Sequence, residues 1–299
     1  MFLQVSYTSW FLDAFNYAMF KRINILNLSI GGPDFLDQPF IDKVLELSAN
    51  KVIMVSAIGN DGPLYGTLNN PADQSDVIGV GGINSNDVVA KFSSRGMTAW
   101  ELPYGYGRLK PDIVTYGNQV KGSDLYGGCR SLSGTSVASP VIAASIALLL
   151  SGAPHKSDFI NPASVKQILI EGATKLKHNN MFEQGSGKLN ILQSMDLLNS
   201  YEPKVTLYPH YIDFTEPYMW PYSSQPMYCD SMPSIVNVTI LNGISVRATI
   251  SNDPIWHPYL DKNGQFLDIN ITYSRVLWPW TGWMALKICE YYLNFNKIK

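Results

Sequence analysis

The sequence predicts an α/β fold: a parallel sheet flanked by helices over residues 1–200, followed by a smaller β-rich domain over 201–299. Three observations predict it. Segments with helical apolar spacing alternate with short apolar runs through the first two-thirds of the chain, the pattern of strands buried under helices. Six prolines fall between Pro203 and Pro233, which reads as a joining segment. Beyond it, apolar residues alternate with polar ones, as in half-buried strands. Hydrophobic residues make up 46% of the 299, ample for a core and too many for disorder.

Phe11, Ala14, Phe15, Ala18 and Met19 recur at helical spacing, so residues 9–20 read as a helix that Thr8 or Ser9 could cap. Ile23–Ile30 reads as a buried strand stopped by Gly31-Gly32-Pro33. Residues 39–49 read as helix, Val52–Ala57 as strand, and Val77–Val80 as a third short strand. Residues 84–128 read as loop. Val137–Leu150 is a nearly all-apolar helix. Residues 163–173 form another, with Asn161 as cap ahead of Pro162, and Leu189–Asn199 a third after Gly185-Ser186-Gly187. Val236, Val238 and Ile240, and then residues 266–273, carry the strand alternation of the second domain.

With a net charge of −2, nothing argues for the basic face that nucleic acid needs, and no nucleic-acid partner is expected. Cys129, Cys229 and Cys289 are odd in number and lack metal-ligand spacing, so no metal site is read and no pairing follows. Met1–Phe20 lacks the basic start of a signal peptide, and the longest apolar stretch, Val141–Leu150, is short for a bilayer. Neither an export signal nor a membrane anchor is therefore expected within these residues.

The chemistry concentrates in Ser133-Gly134-Thr135-Ser136-Val137-Ala138-Ser139-Pro140. Ser136 lies where a glycine turn enters the apolar helix. A helix start offers unpaired N–H groups and a positive dipole end, and both suit an oxyanion forming beside the Ser136 Oγ. Small neighbours at Gly134 and Ala138 leave room for a peptide backbone. The plain alternative is a helix cap. Two further segments carry weight in order: Asn27-Leu28-Ser29-Ile30-Gly31-Gly32, a strand ending where an extended peptide could pair, and Ser56-Ala57-Ile58-Gly59-Asn60-Asp61-Gly62-Pro63, a strand-to-turn segment with a side-chain amide at its tip.

Together these segments resemble the subtilisin-like serine proteases, the subtilases. The resemblance implies a subtilisin-like parallel sheet, with residues 1–200 as the C-terminal two-thirds of a catalytic domain. It implies Ser136 as nucleophile and Asn60 as oxyanion donor. Ser29, Ile30, Gly31, Ser56, Ala57, Ile58 and Gly59 would bind a polypeptide substrate, with Ile58 larger than the usual residue and able to narrow a pocket. Gly185-Ser186-Gly187-Lys188-Leu189-Asn190 matches a structural turn of the family. Other stretches, among them Pro217–Pro221 and Ser274–Trp280, resemble a branch of the family that works in the Golgi or ER lumen on membrane-bound transcription-factor precursors. That branch implies a membrane anchor in the full-length protein, and the family implies calcium, although no ligand cluster stands out.

Subtilases order their triad Asp, His, Ser. Only 28 residues precede Ser29 and none is His; His155, His178, His210 and His257 all follow Ser136. A helix over Val137–Ser151 is about 22 Å long, which puts His155 at the wrong end. The chain is therefore expected to be cut at both ends and inactive alone, the alternative being a non-catalytic peptide-binding pseudoprotease. Asn27, Asn237 and Asn270 each begin a glycosylation triplet.

Overall fold

A computed structural model of the chain describes residues 7–33, 38–98, 107–219, 234–259, 264 and 266–290. Cys229, and Trp220–Pro221 of the segment noted above, lie outside them. Helix α1 (Thr8–Phe20) buries Phe15 and Ala18. Its N-cap is Tyr7, without a side-chain cap, because the helix starts at Thr8 itself and draws both hydroxyls into its first turn. Strand β1 (Ile25–Leu28), helix α2 (Gln38–Ala49), and strands β2 (Ile53–Ala57) and β3 (Val77–Ile83) follow as expected.

The stretch read as loop holds four short strands, β4 (Gly96–Met97), β5 (Leu109–Lys110), β6 (Ile113–Tyr116) and β7 (Val120–Ser123), and β8 (Cys129–Leu132) follows directly after it. The parallel sheet has the order β1-β2-β3-β6, with Ile25 opposite Ile53, Val55 opposite Ile78, and Val80 opposite Ile113. Four residues after Pro111-Asp112 are too few to show a period, so β6 escaped the sequence although Ile113 and Val114 are fully buried.

Helices cover both faces of the sheet. Ile53 and Val55 of β2 pack with Ile142, Ile146 and Leu149 of α3 (Thr135–Gly152). Val52 and Met54 pack with Phe15 and with Phe40, Val44 and Leu47 of α2. Among the described residues α3 is the one helix long and apolar enough to cross a membrane, but its Ala138, Ile142, Ile146 and Leu149 are buried in the sheet core.

Helix α4 (Pro162–Glu171) starts as the sequence predicts. The Asn161 side chain accepts from Ser164 N at 2.9 Å, and Pro162 occupies the first turn. Helices α5 (Met181–Gln184) and α6 (Ile191–Ser200) follow, the latter capped by Asn190. The remaining strands are β9 (Val205–Tyr208), β10 (Ser234–Asn242), β11 (Ala248–Thr249), β12 (Leu267–Tyr273), β13 (Val276–Leu277) and β14 (Gly282–Glu290). Four of them form an antiparallel sheet, β12-β14-β10-β9.

Two sets of buried polar groups hold these layers. The Asp112 carboxylate is paired with Lys110 Nζ at 2.7 Å and Lys166 Nζ at 2.8 Å, and accepts from Gly79 N at 2.8 Å. Burial pushes the Lys110 ammonium down to about 7, opposed by the attraction of Asp112. The two ammonium groups hold Asp112 below its ordinary range against the opposing effect of burial. Asp76 forms the second set. It accepts from Ser48 Oγ at 3.0 Å, and from Thr281 N at 3.0 Å and Thr281 Oγ1 at 2.7 Å, tying the β13–β14 turn to the parallel-sheet core.

Candidate active site

Ser136 lies in the first turn of α3, and Gly134 ahead of it takes φ +154°. The turn is pinned by Gly134 N donating to Gly117 O at 2.8 Å and by Ser133 Oγ donating to Asn118 Oδ1 at 2.9 Å. A Cβ at position 134 would stand 2.9 Å from Ser136 Oγ, 3.7 Å from Ser136 N and 3.7 Å from Asn60 Nδ2. The hydroxyl oxygen and the two amide nitrogens thus lie within 4 Å of one point. Acyl transfer uses a grouping of this kind, a nucleophile beside donors where charge develops on the attacked oxygen.

Asn60 follows β2, held out on a turn by Gly59 at φ +118°. A Cβ there would meet Ser94 Oγ at 2.6 Å and Asn69 Nδ2 at 2.8 Å, so only glycine fits. The carboxamide is oriented through its other end: Asn60 Oδ1 accepts from Thr135 N at 2.9 Å. The Thr135 hydroxyl lies 3.1 Å from both Gly59 O and Asn60 Oδ1. One donor of the helix start is spent on aiming Asn60, and this leaves Nδ2 facing the space beside Ser136.

Pro140 explains a second link. It has no N–H, so the Ser136 carbonyl four residues earlier loses its helical partner. Ser29 Oγ donates to that carbonyl at 3.0 Å. Ser29 Oγ in turn accepts from Asn27 Nδ2 at 3.1 Å, and Asn27 Oδ1 accepts from Ser139 Oγ at 2.5 Å. The relay fastens the end of β1 to the nucleophile helix. Thr135, Asn27 and Ser139 are the supporting residues that sequence reasoning missed. Each lies inside a quoted motif, but their pairings span 75 to 112 residues of chain.

The expected substrate-facing residues divide. Ile30 and Gly31 lie at the surface, with Ile30 53% exposed, and Ser29 is half-buried. Their side of β1 carries no strand among the described residues. Gly32 exchanges hydrogen bonds with Asn70 at 3.1 and 2.8 Å, which fixes the chain just beyond them. Ser56, Ala57, Ile58 and Gly59 are buried instead, because β2 is an inner strand covered on both faces. Ser56 Oγ donates to Leu28 O at 3.1 Å, and Ile58 packs with Leu68 and Ala72. Ile58 therefore fills the core and narrows no surface pocket.

No hydrogen bond joins Ser136 Oγ to any of the four histidines among the described residues. His155 follows the far end of α3, in the turn Pro154–Phe159. An 18-residue helix is roughly 27 Å long, so it cannot reach Ser136. No three His, Cys, Asp or Glu side chains come together among the described residues. Cys129 is exposed and Cys289 is buried.

The sequence profile of the subtilase family matches residues 4–187. The chain belongs to the subtilase family. A second profile, the third Ig-like domain of MBTPS1, matches residues 208–291 and covers β10, β12 and β14 of the antiparallel sheet. The human membrane-bound transcription factor site-1 protease is 65% identical over 286 residues, 95% of this chain and 27% of that protein. Subtilisin-like protease SBT6.1 of Arabidopsis thaliana is 58% identical over 95% of this chain and 28% of its own length. The chain thus spans little more than a quarter of these relatives. Among solved structures, the prenylagaramide maturation protease PagA superposes with a TM-score of 0.56 at 27% identity, covering 68% of this chain and 71% of PagA. The subtilase assignment, the parallel sheet and the separate antiparallel sheet agree with the fold expected from the sequence.

Proposed function

We propose that this chain carries the nucleophile and oxyanion hole of a subtilisin-like serine endopeptidase. The convergence of Ser136 Oγ, Ser136 N and Asn60 Nδ2 on one point carries the reading. In it, Ser136 Oγ attacks the scissile carbonyl. The carbonyl oxygen moves into the space between the two donors, and the peptide lies extended along Ser29, Ile30 and Gly31, adding to the edge of β1. Ser56, Ala57, Ile58 and Gly59 support this wall from beneath. Residues 1–200 make up this catalytic part, and residues 201–299 a β-rich companion. The similarity to a protease named for membrane-bound transcription factors supports substrates of that class, cleaved in the Golgi or ER lumen by a longer, membrane-anchored protein. Calcium binding, expected of the family, would need ligands other than a side-chain cluster of these described residues, and no step depends on it.

A hydroxyl without a base is a weak nucleophile. Loss of the histidine base in such a triad costs on the order of 10⁶ in kcat. The 299 residues alone are therefore expected to show no measurable peptidase turnover. The absence of any histidine beside Ser136 also favours a second reading, a pseudoprotease that binds peptides at β1 without cleaving them. The two are separated by assaying the protein isolated from its own cells beside the purified 299-residue chain. Cleavage by the former that Ser136→Ala abolishes supports the protease. Peptide binding without cleavage by both supports the pseudoprotease, and triad-dependent turnover by the 299 residues alone contradicts the account of the missing base.

A further inference from the structure

The three Asn-x-Ser/Thr triplets differ in what the fold does with them. At Asn27 the carboxamide is occupied: Nδ2 donates to the hydroxyl of Ser29, its own triplet's serine, and Oδ1 accepts from Ser139. Asn237 is half-buried on β10, and the hydroxyl-bearing Thr239 is 4% exposed. Asn270 and Thr272 lie on β12, which among the described residues pairs only with β14 and so lies at an edge of the antiparallel sheet. Along β12, Asp268, Asn270 and Thr272 are exposed while Leu267, Ile269, Ile271 and Tyr273 are half-buried, so the acceptor amide and the hydroxyl two residues on share the solvent face. The Asn270 carboxamide has no hydrogen-bond partner among the described residues. Of the three, this triplet alone combines, among the described residues, an exposed amide without a hydrogen-bond partner and an exposed hydroxyl.

We infer that Asn270 is an N-glycosylation site. The inference rests on the lumenal reading above, since the donor, a polyisoprenyl-pyrophosphate-linked oligosaccharide, is met in that compartment. In the transfer, a bond forms between Asn270 Nδ2 and the anomeric carbon of the oligosaccharide. The bond from that carbon to the pyrophosphate oxygen breaks, the lipid pyrophosphate leaves, and one amide proton is lost. No oxidant or reductant is involved. The sugar would also screen the open edge of β12, where unpaired N–H and C=O groups would otherwise invite another strand.

The test uses the protein isolated from its own cells, released from its glycans by a peptide amidase in ¹⁸O-water and mapped by mass spectrometry. The expected result is ¹⁸O-labelled aspartate at position 270, and a faster-migrating band, smaller by one glycan, for both Asn270→Gln and Thr272→Ala. The second variant keeps the asparagine and removes only the hydroxyl, so agreement between the two excludes a folding artefact. Protease treatment of intact microsomes separates the site from the compartment. A chain protected until detergent is added, yet bare at Asn270, overturns the site and leaves the lumenal reading standing. A chain digested without detergent and bare at Asn270 overturns both.

Discussion

At the scale of single residues, the candidate site is a matter of where donors are spent. Thr135 N is used to hold Asn60 Oδ1 at 2.9 Å, which leaves Asn60 Nδ2 for the oxyanion. Removing one oxyanion donor costs about 10²–10³ in kcat. Asn60→Ala in the protein isolated from its own cells should lower kcat by that factor, measured on a peptide substrate, with KM little changed. A KM effect alone would assign Asn60 to binding. The buried Asp112 is the other sensitive residue. Removing one partner of a buried ion pair costs about 3–5 kcal/mol. Asp112→Ala leaves two buried ammonium groups uncompensated, so urea unfolding should show a loss of at least that size. Lys166→Met, which leaves a one-to-one Lys110–Asp112 pair, should lose much less.

The same cluster sets a pH dependence. The Lys110 ammonium falls from its ordinary range near 10.5 to about 7 in the fold, chiefly through burial. Between those values the unfolded chain binds more protons than the folded one, so this group makes stability rise with pH from about 7 upward. Asp112 acts at the other end: its carboxyl is held below the usual range, so its contribution is present above the ordinary carboxylate value and is lost as acid protonates it. Urea midpoints measured between neutral and alkaline pH should rise more steeply for the wild type than for Lys110→Met. Equal slopes would show that Lys110 titrates normally.

At the scale of elements, α1, α2, α3, α4 and α6 were legible in the sequence because each carries its own signal, and the four-residue α5 was not. Asn161 with Pro162 marks the start of α4, and the apolar run after Ser136 marks α3. Asn161 also donates from Nδ2 to Gly243 O at 2.8 Å, a bond to the end of β10 that no local pattern reveals. Losing an N-cap costs about 0.5–2 kcal/mol. Asn161→Ala should lie at the upper end of that range or beyond, since it also leaves a buried carbonyl without its donor. Thermal unfolding checks it, and a change below the range would mean that the cap alone matters. The motifs that point to Ser136 and Asn60 were equally legible. What stayed hidden was non-local. Strand β6 was too short to show a period, and no local pattern shows that Lys110 and Lys166 are buried against Asp112. The Ser29 hydroxyl needed by the Ser136 carbonyl is explicable only once Pro140 is seen inside the helix. Ser56, Ala57 and Ile58 are buried, which the motif did not show, because it gives proximity to a site but not which way each side chain turns.

At the scale of the whole molecule, the nucleophile turn, the end of β1 and the Asn60 turn are brought together by one parallel sheet, and the antiparallel sheet is fastened to that sheet's core. Thr281, on the β13–β14 turn, places its hydroxyl 2.7 Å from Asp76 Oδ2. Leaving a buried acceptor short of one partner costs roughly 1–3 kcal/mol. Thr281→Val should therefore lower stability by that amount in urea unfolding without altering chemistry at Ser136, and an unchanged midpoint would show that the Asp76 contact does not hold the two sheets. The central claim, that Ser136 is a nucleophile facing two oxyanion donors, is tested most directly by an acyl-serine-type fluorophosphonate probe applied to the protein isolated from its own cells, with the labelled peptide sequenced by mass spectrometry. The account predicts a single label on Ser136, lost in Ser136→Ala and slowed in Asn60→Ala. A folded protein that takes no label at Ser136 would contradict it and leave that serine as the first turn of a core helix.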